Sequence, residues 1–211
     1  MVRVKVCGIT NDEDATLAVD LGAHAVGFIF APSPRRVSPQ HARQIIRRLP
    51  PFVTTVGVFV NENPETIRNI SRHCNLDFIQ FHGDEGPDLC VEWMPRAIKA
   101  FRVRDRSFLD QMEPYRHRTR AVLLDAYSQE ARGGTGGVFD WALALEAKAA
   151  GFSVILSGGL GPSNADEAIR RVRPFAVDVN SRIEQSPGKK DPLLLKRFMK
   201  IMNRINSQEA T

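Results

Sequence analysis

The chain contains few cysteines, and none of them are paired in sequence. Its 211 residues include only Cys7, Cys74 and Cys90, which are widely spaced and form no Cys-x-x-Cys motif. An odd, scattered set of this kind argues against a disulfide framework and against a zinc site. We therefore expect no bound metal.

Long apolar runs are also missing. The chain has no stretch of about 18 apolar residues, the length that a membrane-spanning helix needs. Its N-terminus enters a strand directly, without the basic and apolar regions of a signal peptide. We expect a cytoplasmic protein with no membrane partner.

The formal net charge is +5, and arginines cluster at 102–106 and 115–120. Such clusters fit either an anionic partner or an ordinary solvated surface. No DNA- or RNA-binding motif accompanies them, so we expect no nucleic-acid partner.

Short β-rich runs alternate with longer amphipathic segments along the whole chain. The predicted strands are 3–7, 25–30, 54–60, 77–82, 97–101, 121–125, 152–157 and 175–180. The predicted helices are 11–21, 38–49, 64–73, 86–94, 107–114, 139–150, 163–172 and 191–202. Parallel strands joined by helical crossovers follow from this order.

Eight such units predict an α/β protein with one (β/α)8 TIM barrel domain over residues 1–211. A doubly wound open sheet is the alternative, but no Gly-x-Gly-x-x-Gly follows the first strand. Side chains alternate along each strand, so one parity faces the helices and the other faces the barrel interior. The predicted inward positions are polar: Lys5, Cys7, Gln80, His82, Lys99, Asp125, Asp178 and Asn180.

A buried charge needs a partner, and the eighth strand closes the barrel against the first. We therefore expect Lys5 to lie beside Asp178, and Gln80 beside Lys99. In a barrel the chemistry sits at the carboxyl ends of the strands, where Cys7 and Asp125 are found. A cysteine there could still be a small core residue, and the carboxylate a structural partner.

The strand 7 and strand 8 ends are the usual phosphate site of such barrels. Strand 7 ends in SGGLGPSNADEAI, where Gly158 and Gly159 allow close backbone approach to an anion. Strand 8 runs into Asn180 and Ser181, which could begin a short extra helical turn. An ordinary glycine-rich turn is the alternative.

Two further loops could take part in binding the substrate. The segment AYSQEARGGTGGVFDW after strand 6 could be a lid over the substrate or a surface loop. In PSPRRVSP, after strand 2, Arg35 and Arg36 could hold a carboxylate or be solvated.

Seven stretches follow one another along the chain: KVCGIT, GFIFAPSPRRVSP, GVFVNE, LDFIQFHGDE, LLDA…GGTGGVFDW, LSGGLGPSNADEAI and AVDVNSRIE…PGKKD. Together and in this order they resemble the phosphoribosylanthranilate isomerase family over essentially the whole chain. The resemblance implies a tryptophan-pathway enzyme that catalyses an Amadori rearrangement of a phosphorylated aminosugar. It implies no cofactor.

The resemblance also assigns roles. Cys7 matches the general base and Asp125 the general acid, while Arg35 matches the arginine that faces the anthranilate carboxylate. Asp178 matches an acidic residue near the sugar. Lys5, as a cation near Cys7, would favour the thiolate. The strand 7 and 8 loops would hold the phosphate through Gly158, Gly159, Asn180, Ser181 and Arg182.

Two positions depart from the family pattern. Arg36 stands where an aromatic residue is common, so either arginine could meet the carboxylate. Arg182 stands where glycine is typical; it could change the phosphate loop or add its own charge. A histidine-pathway aminoaldose isomerase, a catalytically silent phosphate binder and a nucleic-acid binder are the alternative functions. The sequence leaves monomer and homodimer open.

Overall fold

The computed structural model describes residues 1–126 and 140–208. Eight parallel strands close into a barrel in chain order, with the last strand hydrogen-bonded to the first. The strands are β1 (Arg3–Val6), β2 (Ala25–Ile29), β3 (Thr54–Phe59), β4 (Phe78–Phe81), β5 (Ala97–Val103), β6 (Ala121–Ala126), β7 (Val154–Leu156) and β8 (Ala176–Val179). The predicted (β/α)8 barrel is confirmed.

Helices follow the strands around the barrel. They are α1 (Asp12–Asp20), α2 (Pro39–Ile46), α3 (Pro64–Cys74), α4 (Pro87–Glu92), α5 (Phe108–Met112), α6 (Trp141–Ala149), α7 (Ala165–Val172) and α8 (Pro192–Gln208). Local sequence sets their starts: the Asn11, Ser38 and Asn63 side chains each accept a backbone N–H of the first turn. Within the described ranges, no helix is long and apolar enough to cross a membrane.

The ends of several elements differ from prediction by a few residues. β5 runs to Val103 rather than 101, α2 ends at Ile46 rather than 49, and α8 runs to Gln208 rather than 202. After β8 the chain makes a 3-10 turn (Ser181–Ile183), the short helical turn expected there. A small hairpin of β9 (Glu184–Ser186) and β10 (Lys189–Lys190) follows.

The alternation of side chains separates two apolar clusters. Strand residues of the parity opposite to the predicted inward set are buried in the large outer cluster: Val4, Val6, Ile79, Phe81, Val122, Leu124, Val177 and Val179. The inner cluster is made of strand residues: Val56, Ile98, Ala100, Ala121, Leu123, Ile155 and Ala176. The barrel interior is thus apolar over part of its height, and its polar inward residues lie towards the carboxyl ends of the strands.

The prediction that Lys99 points into the barrel is wrong. Its neighbours Ile98 and Ala100 belong to the inner cluster, so alternation along β5 turns Lys99 outward. There its Nζ donates to the Glu85 carboxylate at 3.0 Å and to the Gly83 carbonyl at 2.7 Å. Because β5 is buried on both faces, polar and apolar residues do not alternate clearly along its sequence. This explains why the orientation of Lys99 was predicted wrongly.

Candidate active site

A cavity of about 270 Å³ opens at the carboxyl ends of the barrel strands. Its lining includes both predicted catalytic side chains, Cys7 at the end of β1 and Asp125 in β6. The same lining contains an apolar wall from β2 and β3 and a glycine-rich wall from the loops after β7 and β8. The predicted site residues found in the lining are Cys7, Arg35, Asp125, Gly158, Gly159, Asp178, Asn180 and Ser181.

Lys5 lies below Cys7 and is paired as predicted. Its Nζ is 2.9 Å from Oδ1 of Asp178, and the two side chains are only 5% and 6% exposed. β1 and β8 align these two residues directly. Gly27 in β2 makes room for the group, since a Cβ there would lie 2.8 Å from the Cys7 Sγ and 3.0 Å from the Lys5 Cε.

These three buried groups shift one another's pKa. Burial raises the pKa of the Cys7 thiol, and the Lys5 charge offsets only part of that rise. Burial likewise raises the pKa of Asp178 against the opposing effect of Lys5. For Lys5, burial lowers the pKa, but the charges of Asp178 and Cys7 outweigh it, so the net shift is upward. The lysine therefore favours the thiolate without making the free thiol acidic.

Asp125 has a histidine beside it. Nε2 of His82 is 3.3 Å from Oδ2 of Asp125, an ion-pair distance without the alignment of a hydrogen bond. On the other side of the ring, the Gln80 side-chain amide is hydrogen-bonded to Nδ1 at 2.9 Å, which holds the imidazole with its Nε2 edge towards Asp125. Gln80 is thus engaged by His82, and the predicted pairing with Lys99 is not found.

The loop after β7 approaches the end of β6 very closely. Gly158 has φ +80°, and a Cβ on it would lie 2.3 Å from the backbone nitrogen of Ala126. Gly159 also has a positive φ, of +63°. Asn164 fixes the loop, because its side chain accepts from the Gly161 N–H and donates to the Gly159 carbonyl. This backbone brings amide groups to the cavity wall next to Asp125.

The two loop arginines are placed differently. Arg35 lines the cavity, with its side chain 11% exposed and its guanidinium paired with Glu184. Arg36 is exposed and absent from the lining. Arg182 is exposed as well and lines a separate surface groove with Arg197 and other α8 residues. Its φ is not positive, so the turn forms without the glycine typical of the family.

Sequence reasoning assigned no role to three residues of this region: His82, Glu184 and Lys190. His82 lies at the end of the fourth predicted strand, at a position predicted to face the barrel interior, so its place in the site could have been predicted from the sequence. Glu184 and Lys190 lie in a short polar hairpin, and their burial could not be read from such a segment. The predicted lid segment lies almost entirely in 127–139, outside the described residues.

Comparisons with known proteins agree with this geometry. A family model described as N-(5'-phosphoribosyl)anthranilate (PRA) isomerase matches residues 4–201. N-(5'-phosphoribosyl)anthranilate isomerase from Trichlorobacter lovleyi is 49% identical over 211 residues, covering all of both chains. The protein of the same name from Geobacter sulfurreducens is 52% identical over 201 residues, covering 95% of this chain and 98% of its own.

Solved structures give the same result. The crystal structure of phosphoribosyl anthranilate isomerase from Thermotoga maritima superposes with a TM-score of 0.90 at 46% identity, covering 97% of this chain and 100% of that one. Another, in complex with reduced 1-(o-carboxyphenylamino)-1-deoxyribulose 5-phosphate, superposes with a TM-score of 0.87 at 45% identity, with the same coverage. This chain belongs to the N-(5'-phosphoribosyl)anthranilate isomerase family.

Proposed function

We propose that Cys7 is the general base and Asp125 the general acid of this chain's reaction. The chain is an isomerase of tryptophan biosynthesis, which converts N-(5'-phosphoribosyl)anthranilate into 1-(2-carboxyphenylamino)-1-deoxyribulose 5-phosphate. One observation carries the proposal: the thiol and the carboxyl line one small cavity whose two sides differ in chemistry.

Those two sides match the two ends of the substrate. Ile29, Val58 and Val60 offer an apolar surface for the aromatic ring, and Arg35 lies on the same side for its carboxylate. The loops after β7 and β8, which contain Gly158, Gly159, Asn180 and Ser181, offer backbone amides to the phosphate. Arg182 is left out of this proposed phosphate site because it lies outside the lining.

The sugar between these ends meets the acid and the base. Asp125 gives a proton to the ring oxygen, the ring opens, and the nitrogen lone pair forms an iminium with C1. The iminium makes the C2 proton acidic, and the Cys7 thiolate removes it to give an enolamine. Tautomerisation of the enolamine then yields the C2 ketone of the product. Since burial raises the pKa of the thiol, the nearby Lys5 ammonium supplies the charge that stabilises the thiolate during this step.

A thiol base also constrains where the enzyme works. Oxidation of Cys7 would abolish its basicity, and a reducing compartment keeps thiols free. This requirement supports the cytoplasm as the location. For the assembly, a similar solved structure is described as monomers of dimeric phosphoribosylanthranilate isomerase from Thermotoga maritima, which favours the homodimer over the monomer.

The test is the loss of anthranilate-type fluorescence when purified protein meets the substrate. We expect Cys7→Ala and Asp125→Asn each to lower kcat by about 10²–10⁴-fold, the usual contribution of a general acid or base. KM should change little, because neither group is proposed to anchor the substrate. A variant that keeps kcat within a factor of three would remove that residue from its role. Turnover of the histidine-pathway aminoaldose in the same preparation would widen the substrate range.

A further inference from the structure

A buried ion cluster joins the loop after β2 to the hairpin after β8. Glu184 lies at its centre, with its side chain only 3% exposed. Arg35 approaches the carboxylate edge-on: Nε lies 3.0 and 2.9 Å from the two oxygens, and Nη2 lies 2.8 Å from Oε2. Lys190, whose side chain is fully buried, reaches Oε1 at 3.0 Å.

The cluster is tied to the cavity by a shared partner. Nζ of Lys190 also donates to Oδ1 of Asn180 at 2.8 Å, and Asn180 lines the cavity at the end of β8. Gly8, next to Cys7, leaves room for both neighbours: a Cβ there would lie 2.7 Å from the Asn180 Oδ1 and 3.0 Å from the Arg35 Cδ. The stem of Arg35 therefore crosses the end of β1 beside the proposed base.

The hairpin holds Glu184 from its other side. The Gly188 N–H donates to Oε1 at 3.3 Å, and the Gly188 carbonyl accepts from the Thr10 hydroxyl. The backbone N–H of Lys190 donates to Asp14 of α1. Burial raises the pKa of Glu184, but the bonds from Arg35 and the charge of Lys190 outweigh it, so the net pKa is lowered. The glutamate is thus an anion held rigidly by neighbours on several elements.

Two consequences follow for Arg35. Its Nε and Nη2 edge is taken up by Glu184, and among the described residues Nη1 makes no hydrogen bond. The cluster also has two basic side chains for one carboxylate, so Glu184 is shared between Arg35 and Lys190. Burial lowers the pKa of Lys190, and Arg35 is the one of the two that lines the cavity. A guanidinium fixed along one edge, with a spare donor, is pre-organised to accept another carboxylate.

We infer that Glu184 is a positioning residue that aims the Nη1 side of Arg35 at the aromatic carboxylate of the substrate. Lys190 in turn fixes Glu184. This inference rests on the proposed role of Arg35. It adds a specificity device built from the β9–β10 hairpin, a segment to which the proposed chemistry assigns nothing.

The experiment uses two substrates: N-(5'-phosphoribosyl)anthranilate and N-(5'-phosphoribosyl)aniline, which lacks the carboxylate. For Glu184→Gln we expect KM for the first to rise at least about tenfold, as an unrestrained arginine loses its orientation. KM for the aniline compound should stay within twofold of wild type, with kcat little changed for both. Glu113→Gln is the matched control, because Glu113 forms a similar two-bond pair with Arg116 on the exposed surface. It should leave both substrates unaffected.

Other outcomes separate the positioning role of Glu184 from the carboxylate role of Arg35. Equal losses on both substrates in Glu184→Gln, or tighter binding of the anthranilate compound, would overturn the inference. Arg35→Met tests the underlying proposal: if it changes KM equally for the two substrates, or changes neither, the carboxylate role of Arg35 fails. If Arg35→Met raises KM for the anthranilate compound alone and Glu184→Gln does not, only the positioning role fails. Should Glu184→Gln fold poorly, Glu184→Asp keeps the charge with a shorter reach, and an unchanged substrate preference there would equally refute the inference.

Discussion

Replacing Lys5 by methionine tests the electrostatics around the proposed base. Methionine fills a similar volume but removes the ammonium that lies 2.9 Å from Asp178. Two effects are expected, one on stability and one on the pH dependence of the reaction. They can be separated because a second buried lysine offers a matched comparison.

The stability effect follows from burial. Both partners are nearly inaccessible, and removing one member of a buried pair costs about 3–5 kcal/mol. Asp178 can limit the loss by taking up a proton, because burial already raises its pKa. We therefore expect the lower end, about 3 kcal/mol, which corresponds to a fall in Tm of about 6–12 °C for a chain of this size.

The catalytic effect follows from the thiol. Burial holds the pKa of Cys7 above its ordinary value of 9.0, and Lys5 works against that rise. Since the thiolate is the proposed base, we expect kcat/KM of the wild type to increase with pH across the alkaline range. Without Lys5 the pKa of the thiol rises further, so the same limb should move to higher pH, with lower activity at neutrality.

Lys99→Met is the control. Lys99 is also buried and lies 3.0 Å from Glu85, but it faces away from the barrel interior. It should lower Tm by a similar amount and leave the pH profile of kcat/KM in place. Thermal unfolding by circular dichroism and the fluorescence assay from pH 6 to 10 measure both quantities. If Lys5→Met kept the wild-type pH profile, or shifted it no more than Lys99→Met, the electrostatic role would be wrong.

Two glycines give further predictions. Gly27→Ala places a methyl 2.8 Å from the Cys7 Sγ. We expect the free energy of unfolding, measured with urea, to fall by about 1–3 kcal/mol and kcat to decrease. Wild-type values of both would contradict the packing described for this site. Gly158→Ala forces a Cβ to 2.3 Å from the Ala126 nitrogen at a φ of +80°, so the loop must move. We therefore expect KM to rise about tenfold or more and competitive inhibition by inorganic phosphate to weaken. Unchanged KM and phosphate inhibition would separate this loop from phosphate binding.

The barrel itself was predictable from the sequence, because strand and helix periodicities alternate eight times with recognisable caps. The pairing of Lys5 with Asp178 was predictable too, since barrel closure puts β8 beside β1 and a buried charge needs a partner. The orientation of Lys99, in contrast, could not be predicted from alternation along its strand. A strand buried on both faces has no polar side to read, so its parity depends on packing that only the structure shows.

The residue types of the site could be predicted from the sequence better than their arrangement in space. Cys7 and Asp125 stand at strand ends, where barrels of this kind carry their chemistry, but position left a structural role open for both, and only the family resemblance assigned them roles. The Arg35–Glu184 pair could not be foreseen, because Arg35 lies in a loop with no strand register to place it and the hairpin that carries Glu184 reads as polar surface. Arg182 was expected at the phosphate because of its place in sequence, yet the 3-10 turn directs it to a groove on the outer surface.

A crystal structure of this chain with the reduced reaction product bound would show whether Cys7 and Asp125 flank the sugar. We expect the Cys7 Sγ and an Asp125 carboxylate oxygen both to lie within about 3.5 Å of the sugar, on opposite sides of it, with the phosphate at Gly158 and Gly159. A complex in which either group fails to reach the sugar, or in which both approach it from one side, would contradict this expectation.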